Sequence, residues 1–381
     1  VGGRAGSPSG SDHGGGAAAR ERGAGQAHAA GALTAAGDLQ RQALQAWIDI
    51  HGEQHMKVAA SHGRLGSILQ NDGAIDEAEQ HLHRALAIAS AIPDSSPASL
   101  LEVNVNLAAI HRRRGRLLEA ATLLRTVVDI RRSEFPDQQD ALGHILEELS
   151  DVLTAEGQHQ QAAETRSQMI EAFQRAFPEE ALITADRHIS FGVWLYSAWF
   201  RTSTRVADAE QHLRQGLAFY TTNPLLQGRT YGTGLLALAS LLEARSPGDP
   251  EVLRFLEEAL ASMARLHGIQ SPEYARVEVR LAQACAADGQ DERAALLHRH
   301  AFEVRAAELG RNFRPTDSLI ALASLVRGIA QRKEATADTY AVAAELVELM
   351  ILYAPERAEL QDLHGLLIAS RDAADSGAEG R

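Results

Sequence analysis

One cysteine in 381 residues, Cys285, leaves no partner for an intrachain disulfide and no thiolate set for a zinc site. A reducing compartment is the simplest setting for such a chain, and a cytoplasmic location is expected. Aromatic residues are scarce at 5%, while Ala and Leu dominate the 45% hydrophobic fraction. That mixture suits helices and withholds the β-branched and aromatic residues that sheets favour. Long apolar runs are missing too: Leu235 to Leu242 and Leu346 to Tyr353 fall far short of the roughly 20 residues of a membrane span. No signal peptide is visible, and no membrane partner is expected. The formal charge of −13 is dispersed in short acidic and basic clusters, with no basic stripe for phosphates, which argues against nucleic acid as a partner. An initiator methionine is also absent, and a chain beginning at Val1 reads as a piece of something larger.

Self-similarity is the strongest signal present. A Leu, once a Tyr, followed by a small residue recurs as Leu65-Gly66, Leu107-Ala108, Leu149-Ser150, Tyr196-Ser197, Leu238-Ala239, Leu281-Ala282 and Leu322-Ala323, at intervals of 42, 42, 47, 42, 43 and 41. Eight residues after the Leu comes a Gly in four copies, Gly73, Gly115, Gly157 and Gly289. Gly ends helices by entering the left-handed conformation without steric penalty. Five residues further lies an Ala, namely Ala78, Ala120, Ala162 or Ala294, and Ala209 fills that place in repeat five, which lacks the Gly. Seven beyond sits another mostly small residue: Ala85, Val127, Gly216, Ala259 or Ala301. Small residues let two antiparallel helices approach closely, while large residues three and four apart form a stripe that only a neighbouring pair can bury.

The pattern resembles the tetratricopeptide repeat, best in HGRLGSILQNDGAIDEAEQHLHRALAIAS (62–90) and next in NVNLAAIHRRRGRLLEAATLLRTVVDI (104–130). A period of 42 with long inter-repeat loops, such as His51 to Lys57, is similar to the kinesin-light-chain-like variant. The resemblance implies an all-α, right-handed α-α superhelix, a solenoid of seven to eight helix pairs, with repeats starting near 17, 59, 101, 143, 190, 232, 275 and 316. The first copy is degenerate, marked by Gly31, which lies 42 before Gly73. Residues 1–16 and 376–381, rich in Gly and Ser, read as a disordered lead-in and tail. Residues 356–375 read as a capping helix on the stripe Leu360, Leu363, Leu366 and Leu367.

Chemistry-bearing constellations are not evident. His81/His83 and His298/His300 are H-x-H pairs on helices, where residues two apart point away from each other, so no metal is expected. Cys285, between Ala284 and Ala286, reads as a packing residue. Gly228 to Gly234 lacks the Lys-Ser/Thr ending of a phosphate loop and reads as a helix start. No cofactor and no catalytic residue are expected.

In the resembled family the first helix of each pair, helix A, lines a concave groove. Carrying its groove-facing places onto this chain gives Arg64 and Asn71 in repeat two, and Asn106, Arg112 and Arg113 in repeat three. Repeat four gives Glu147 and Asp151, repeat five Phe191, Trp194 and Arg201, and repeat seven Arg280. Asn106 alone keeps the Asn that such grooves repeat at the sixth place; Arg64, Glu148, Leu195, Ala237 and Arg280 stand there otherwise. The Lys/Asn clamp of chaperone-binding relatives is absent, so neither known ligand carries over. The expectation is a non-catalytic scaffold holding a protein or peptide across repeats three to five, with Arg112 and Arg113 meeting acidic groups and Trp194 as an apolar anchor. The alternative is the regulatory arm of a larger bacterial signalling enzyme, a Ser/Thr kinase or caspase-like protease.

Overall fold

The computed structural model describes residues 10–92, 97–178, 181–196, 203–246, 248–309, 337–353 and 358–378. The chain forms two compact units, Val1–Glu180 and Ala181–Arg381. Unit 1 is a row of four helical hairpins: α1 (Gly10–Ala29) with α2 (Leu33–His51), α3 (Met56–Asp72) with α4 (Ile75–Ala91), α5 (Leu101–Arg113) with α6 (Leu117–Glu134), and α7 (Gln139–Ala155) with α8 (His159–Ala176). Unit 2 continues in kind with α9 (Ala181–Tyr196) and α10 (Ser203–Thr222), α11 (Arg229–Arg245) and α12 (Pro250–His267), then α13 (Pro272–Ala287) and α14 (Asp291–Leu309). It ends with α15 (Ala337–Tyr353) and α16 (Ala358–Ala378). No strand occurs among the described residues. Within each unit, the two helices of a hairpin pack together and the second packs on the first helix of the next hairpin. The stripe that one hairpin cannot bury alone is thus covered by its neighbour, as a helical-repeat solenoid requires.

The turns explain the recurring glycines. Gly31, Gly73, Gly115, Gly157 and Gly289 all adopt φ between +72° and +88°. The amide one residue further donates to the carbonyl five back: Ala32 to Ala27, Ala74 to Leu69, Arg116 to His111, Gln158 to Leu153 and Gln290 to Cys285, each at 2.8–2.9 Å. That bond satisfies a carbonyl that the end of the helix would otherwise orphan. Gly31 therefore makes α1 and α2 a first hairpin of the same kind. Helix α1 already begins at Gly10, inside the stretch expected to be a disordered lead-in, because Ala17 and Ala24 are wholly buried and hold the helix as a unit. At the other end α16 runs to Ala378, past the boundary expected at 375, and packs on α15. Leu360 and Leu367 are buried, but Leu366 is 62% exposed, so the apolar stripe is narrower than the four leucines suggested. The Leu322-Ala323 pair and most of repeat eight lie outside the described residues.

Close approach explains the small residues, and corrects one register. A methyl group placed on Gly66 would stand 2.6 Å from Leu82 Cγ and 3.1 Å from the Ala78 carbonyl oxygen. On Gly192 it would stand 2.6 Å from Leu213 Cγ and 3.0 Å from the Ala209 carbonyl oxygen. Gly66 and Gly192 are therefore the same crossing, 126 residues or three periods of 42 apart. Phe191-Gly192, not Tyr196-Ser197, fills the Leu-small place of repeat five. The five additional residues fall between α9 and α10 rather than ahead of α9. The sequence misled because Tyr196-Ser197 imitates the motif while Phe191 replaces its Leu.

Arginines stitch consecutive second helices along the outer side of each unit. Arg41 meets Glu77 at 2.8 Å and Arg125 donates to Gln161 at 2.7 Å in unit 1. Arg214 meets Glu251 and Arg293 meets Glu257, each at 2.5 Å, in unit 2. Such exposed pairs are worth only about 0–1 kcal/mol each.

Candidate functional site

The open face of unit 1 is built by the first helices α1, α3 and α5. Between them lies a cavity of about 410 Å³ whose lining includes Glu21, Arg22, His28, Arg64, Ser67 and Glu102. Arg64 reaches back one repeat to Glu21 at 2.6 Å, and Asn71 shares a 2.8 Å hydrogen bond with His28 of the same helix. Asn106 is half-buried one period beyond Arg64, with no hydrogen-bond partner for its Nδ2. Arg112 and Arg113, at the end of α5, are exposed. On α7, Glu147 is half-buried beside His144 at 3.9 Å, and exposed Asp151 pairs with Arg166 at 2.6 Å. Of the groove residues expected in unit 1, Arg64 lines this cavity, and the charges of Arg64 and Asp151 are already partnered.

Unit 2 carries a second cavity, of about 390 Å³, on first helices α11 and α13 with the end of α12. Its lining includes Arg229, Arg276 and Arg280 against one carboxylate, Glu273. Arg280 donates to the Leu236 carbonyl at 3.2 Å and lies 3.5 Å from Glu243; Arg276 lies 3.2 Å from Glu273.

Repeat five departs from expectation. Phe191 is 2% exposed, its ring 4.6 Å from that of His212 and 6.1 Å from Trp194. It occupies the buried place of Leu65, so it is a hairpin-core residue and not part of an open groove. Trp194 is half-buried three residues on, at the place of core residues Ile68, Ile110 and Val152. Tyr196 donates its hydroxyl to the Ser240 carbonyl at 3.1 Å. Arg201 lies outside the described residues.

Two of the most strongly shifted groups, the buried histidines His62 and His188, sit inside hairpins and line neither cavity. His62 of α3 and His81 of α4 share a 2.8 Å hydrogen bond between their Nδ1 atoms. His188 of α9 and His212 of α10 do the same at the equivalent place of repeat five, also at 2.8 Å. Burial pushes His62 down to about 4, helped by His81 and Arg84, and pushes His188 down to about 4, helped by His212. His81 and His212 are lowered by burial as well. Sequence reading missed these pairs because their partners are 19 and 24 residues apart and meet only once the hairpin closes. Cys285 is fully buried, and burial raises its thiol, so it is the packing residue expected. Gly228 to Gly234 is indeed a helix start: α11 begins at Arg229.

These features define a class, a stack of α-helical hairpins with open first-helix faces. Residues 58–92 and 99–175 each match the tetratricopeptide repeat, so that stretch of the chain carries tetratricopeptide repeats. Among solved structures, BtubC (BKLC) from P. vanneervenii is 18% identical, matched over 75% of this chain and 92% of its own, at a TM-score of 0.33. A putative kinesin light chain with nearly identical repeats from Podospora anserina is 20% identical over 68% and 99%, at 0.30. RapI in its apo form is 10% identical over 96% and 98% of the two chains, at 0.51, a likeness of fold. No curated protein sequence matches this one. No described helix is long and apolar enough to cross a membrane.

Proposed function

We propose that the chain is a non-catalytic scaffold that holds a protein or peptide on the open faces of its first helices. The observation that carries this reading is the position of the two cavities. Each lies between first helices of successive repeats and is lined by charged side chains. A solenoid generates such a surface simply by repeating, because first helices align on one side of the stack. The non-catalytic part is supported by where the perturbed groups lie. A catalytic acid, base or nucleophile needs a shifted pKa in an accessible cleft. Here the most strongly shifted histidines and Cys285 are locked between helices of single hairpins.

Charge distinguishes the two faces. That of unit 1 mixes Arg64, Arg22, Glu21 and Glu102, with Arg112 and Arg113 further along, and suits a ligand of mixed charge. That of unit 2 has three arginines to one glutamate and suits acidic groups. A peptide array screened with the purified chain, followed by calorimetry of the best binder, tests the reading. Replacing Arg276 and Arg280 by Ala should weaken an acidic peptide strongly at low salt and less at high salt, as rim charges do. Replacing Arg112 and Arg113 by Ala should do the same for a ligand of unit 1. Unchanged affinity in both double variants at low salt would refute the groove as the site.

A further inference from the structure

On the second helix of repeat two, Glu79 and His83 stand four residues apart and therefore on one face of α4. The end of α5, first helix of repeat three, brings His111 against them. One ligand atom from each of Glu79, His83 and His111 lies within 4.8 Å of the other two. The rings of His83 and His111 meet edge to face, 6.2 Å between centroids. A second, independent observation concerns His111 itself. Its side chain sits in a residue only 6% exposed, yet Nδ1 has no hydrogen-bond partner. A buried imidazole with an unmet nitrogen costs stability unless something supplies the missing contact.

We propose that Glu79, His83 and His111 bind a divalent transition metal of the zinc type, joining repeat two to repeat three. Two imidazoles and a carboxylate are a three-ligand set that zinc accepts, with water in the fourth, open place. Arg114 and Arg116 both pair with the Glu79 carboxylate. Those arginines do not exclude a cation. Arg114 meets Glu79 at 2.7 Å through one oxygen, Arg116 meets the other, and a carboxylate keeps further lone pairs on each. Ligating carboxylates are commonly held by just such outer partners. Arg114 also pairs with Asp76.

Zinc ligand bonds of about 2 Å set ligand atoms about 3.3 Å apart. Closing the cluster therefore takes a movement of up to about 1.5 Å, within the reach of the His83 side chain, which is 54% exposed. The site was hidden in the sequence because the eye pairs His83 with His81, two residues away, whereas its partners are four residues back and 28 residues on, in the next repeat.

The experiment is a titration of the untagged, metal-free chain with Co2+ and with Zn2+, read by visible absorption and by calorimetry. One Co2+ per chain should give the intense d–d bands of a tetrahedral site, and Zn2+ should displace it. His83→Ala is the decisive variant, since an exposed side chain can be removed without harm to the fold. It should weaken binding by at least about tenfold, as the loss even of an outer-shell partner does so by about 10–100-fold. His144→Ala removes an equally exposed histidine elsewhere and should change nothing. Zinc should also raise the melting temperature of the parent and not of His83→Ala. Overturning results are the absence of tetrahedral Co2+ bands, or parental affinity in His83→Ala, which would mark any binding as adventitious at other histidines.

Discussion

Adding one methyl group at Gly192 separates two registers of repeat five. In the structure the added carbon would stand 2.6 Å from Leu213 Cγ and 3.0 Å from the Ala209 carbonyl oxygen, and neither is the loose end of a flexible chain. Relief requires α9 and α10 to move apart, and overpacking of this kind costs about 1–3 kcal/mol. The same substitution improves the intrinsic propensity of a helix by roughly 0.5–1 kcal/mol. The control is Gly25→Ala in α1, where nothing lies within 4 Å of the new carbon. The propensity gain is common to both variants, so their difference isolates the packing cost, about 1–3 kcal/mol. With urea slopes of about 2 kcal/mol per molar, the two midpoints should differ by about 0.5–1.5 M. Gly66→Ala, facing Leu82 and the Ala78 carbonyl, should behave like Gly192→Ala. Urea unfolding followed by circular dichroism is the assay. If Gly192→Ala is as stable as Gly25→Ala while Gly66→Ala is weakened, Phe191-Gly192 is not the crossing, and the equivalence of repeats two and five fails.

The buried histidine pairs make stability depend on pH with a definite sign. His62 and His188 titrate near 4 in the fold and near 6.5 when unfolded, so the unfolded chain binds more protons between those values. Their contribution is whole above about 6.5 and is lost as pH falls towards 4, by up to about 1.4 kcal/mol per pH unit and group. Urea midpoints measured from pH 7 to 4 should fall, and His188→Gln should flatten the slope; an unchanged slope refutes the assignment. Cys285, buried and raised, should resist a thiol reagent in the native chain and react at once in denaturant; rapid native labelling would refute its placement.

Hairpins, turns and the helix-pair period were legible because each leaves a residue-level mark: a left-handed Gly, an Ala at the crossing, a Leu at a fixed interval. Arg64, one of the residues expected on the groove side of α3, lines a cavity. Repeat five was not legible, since a Tyr-Ser pair five residues late carried the same signature as the true crossing at Phe191-Gly192. Which groups meet across hairpins was also beyond reach. His62 with His81, and Glu79 with His83 and His111, depend on how helices roll against each other, and no single-chain spacing encodes that rotation.

The arginine ladder has a consequence for how such a gene can change. Arg41 finds its acid 36 residues on, at Glu77. Glu119, one period of 42 further, occupies the same place on the next second helix. Excising one whole period between them would set Arg41 opposite Glu119 and restore the pair, whereas a deletion of any other length would face it with an unrelated side chain. Recombination in whole periods is therefore nearly silent to the outer charges, and the number of repeats can drift through duplication and loss while each survivor still meets a neighbour that fits.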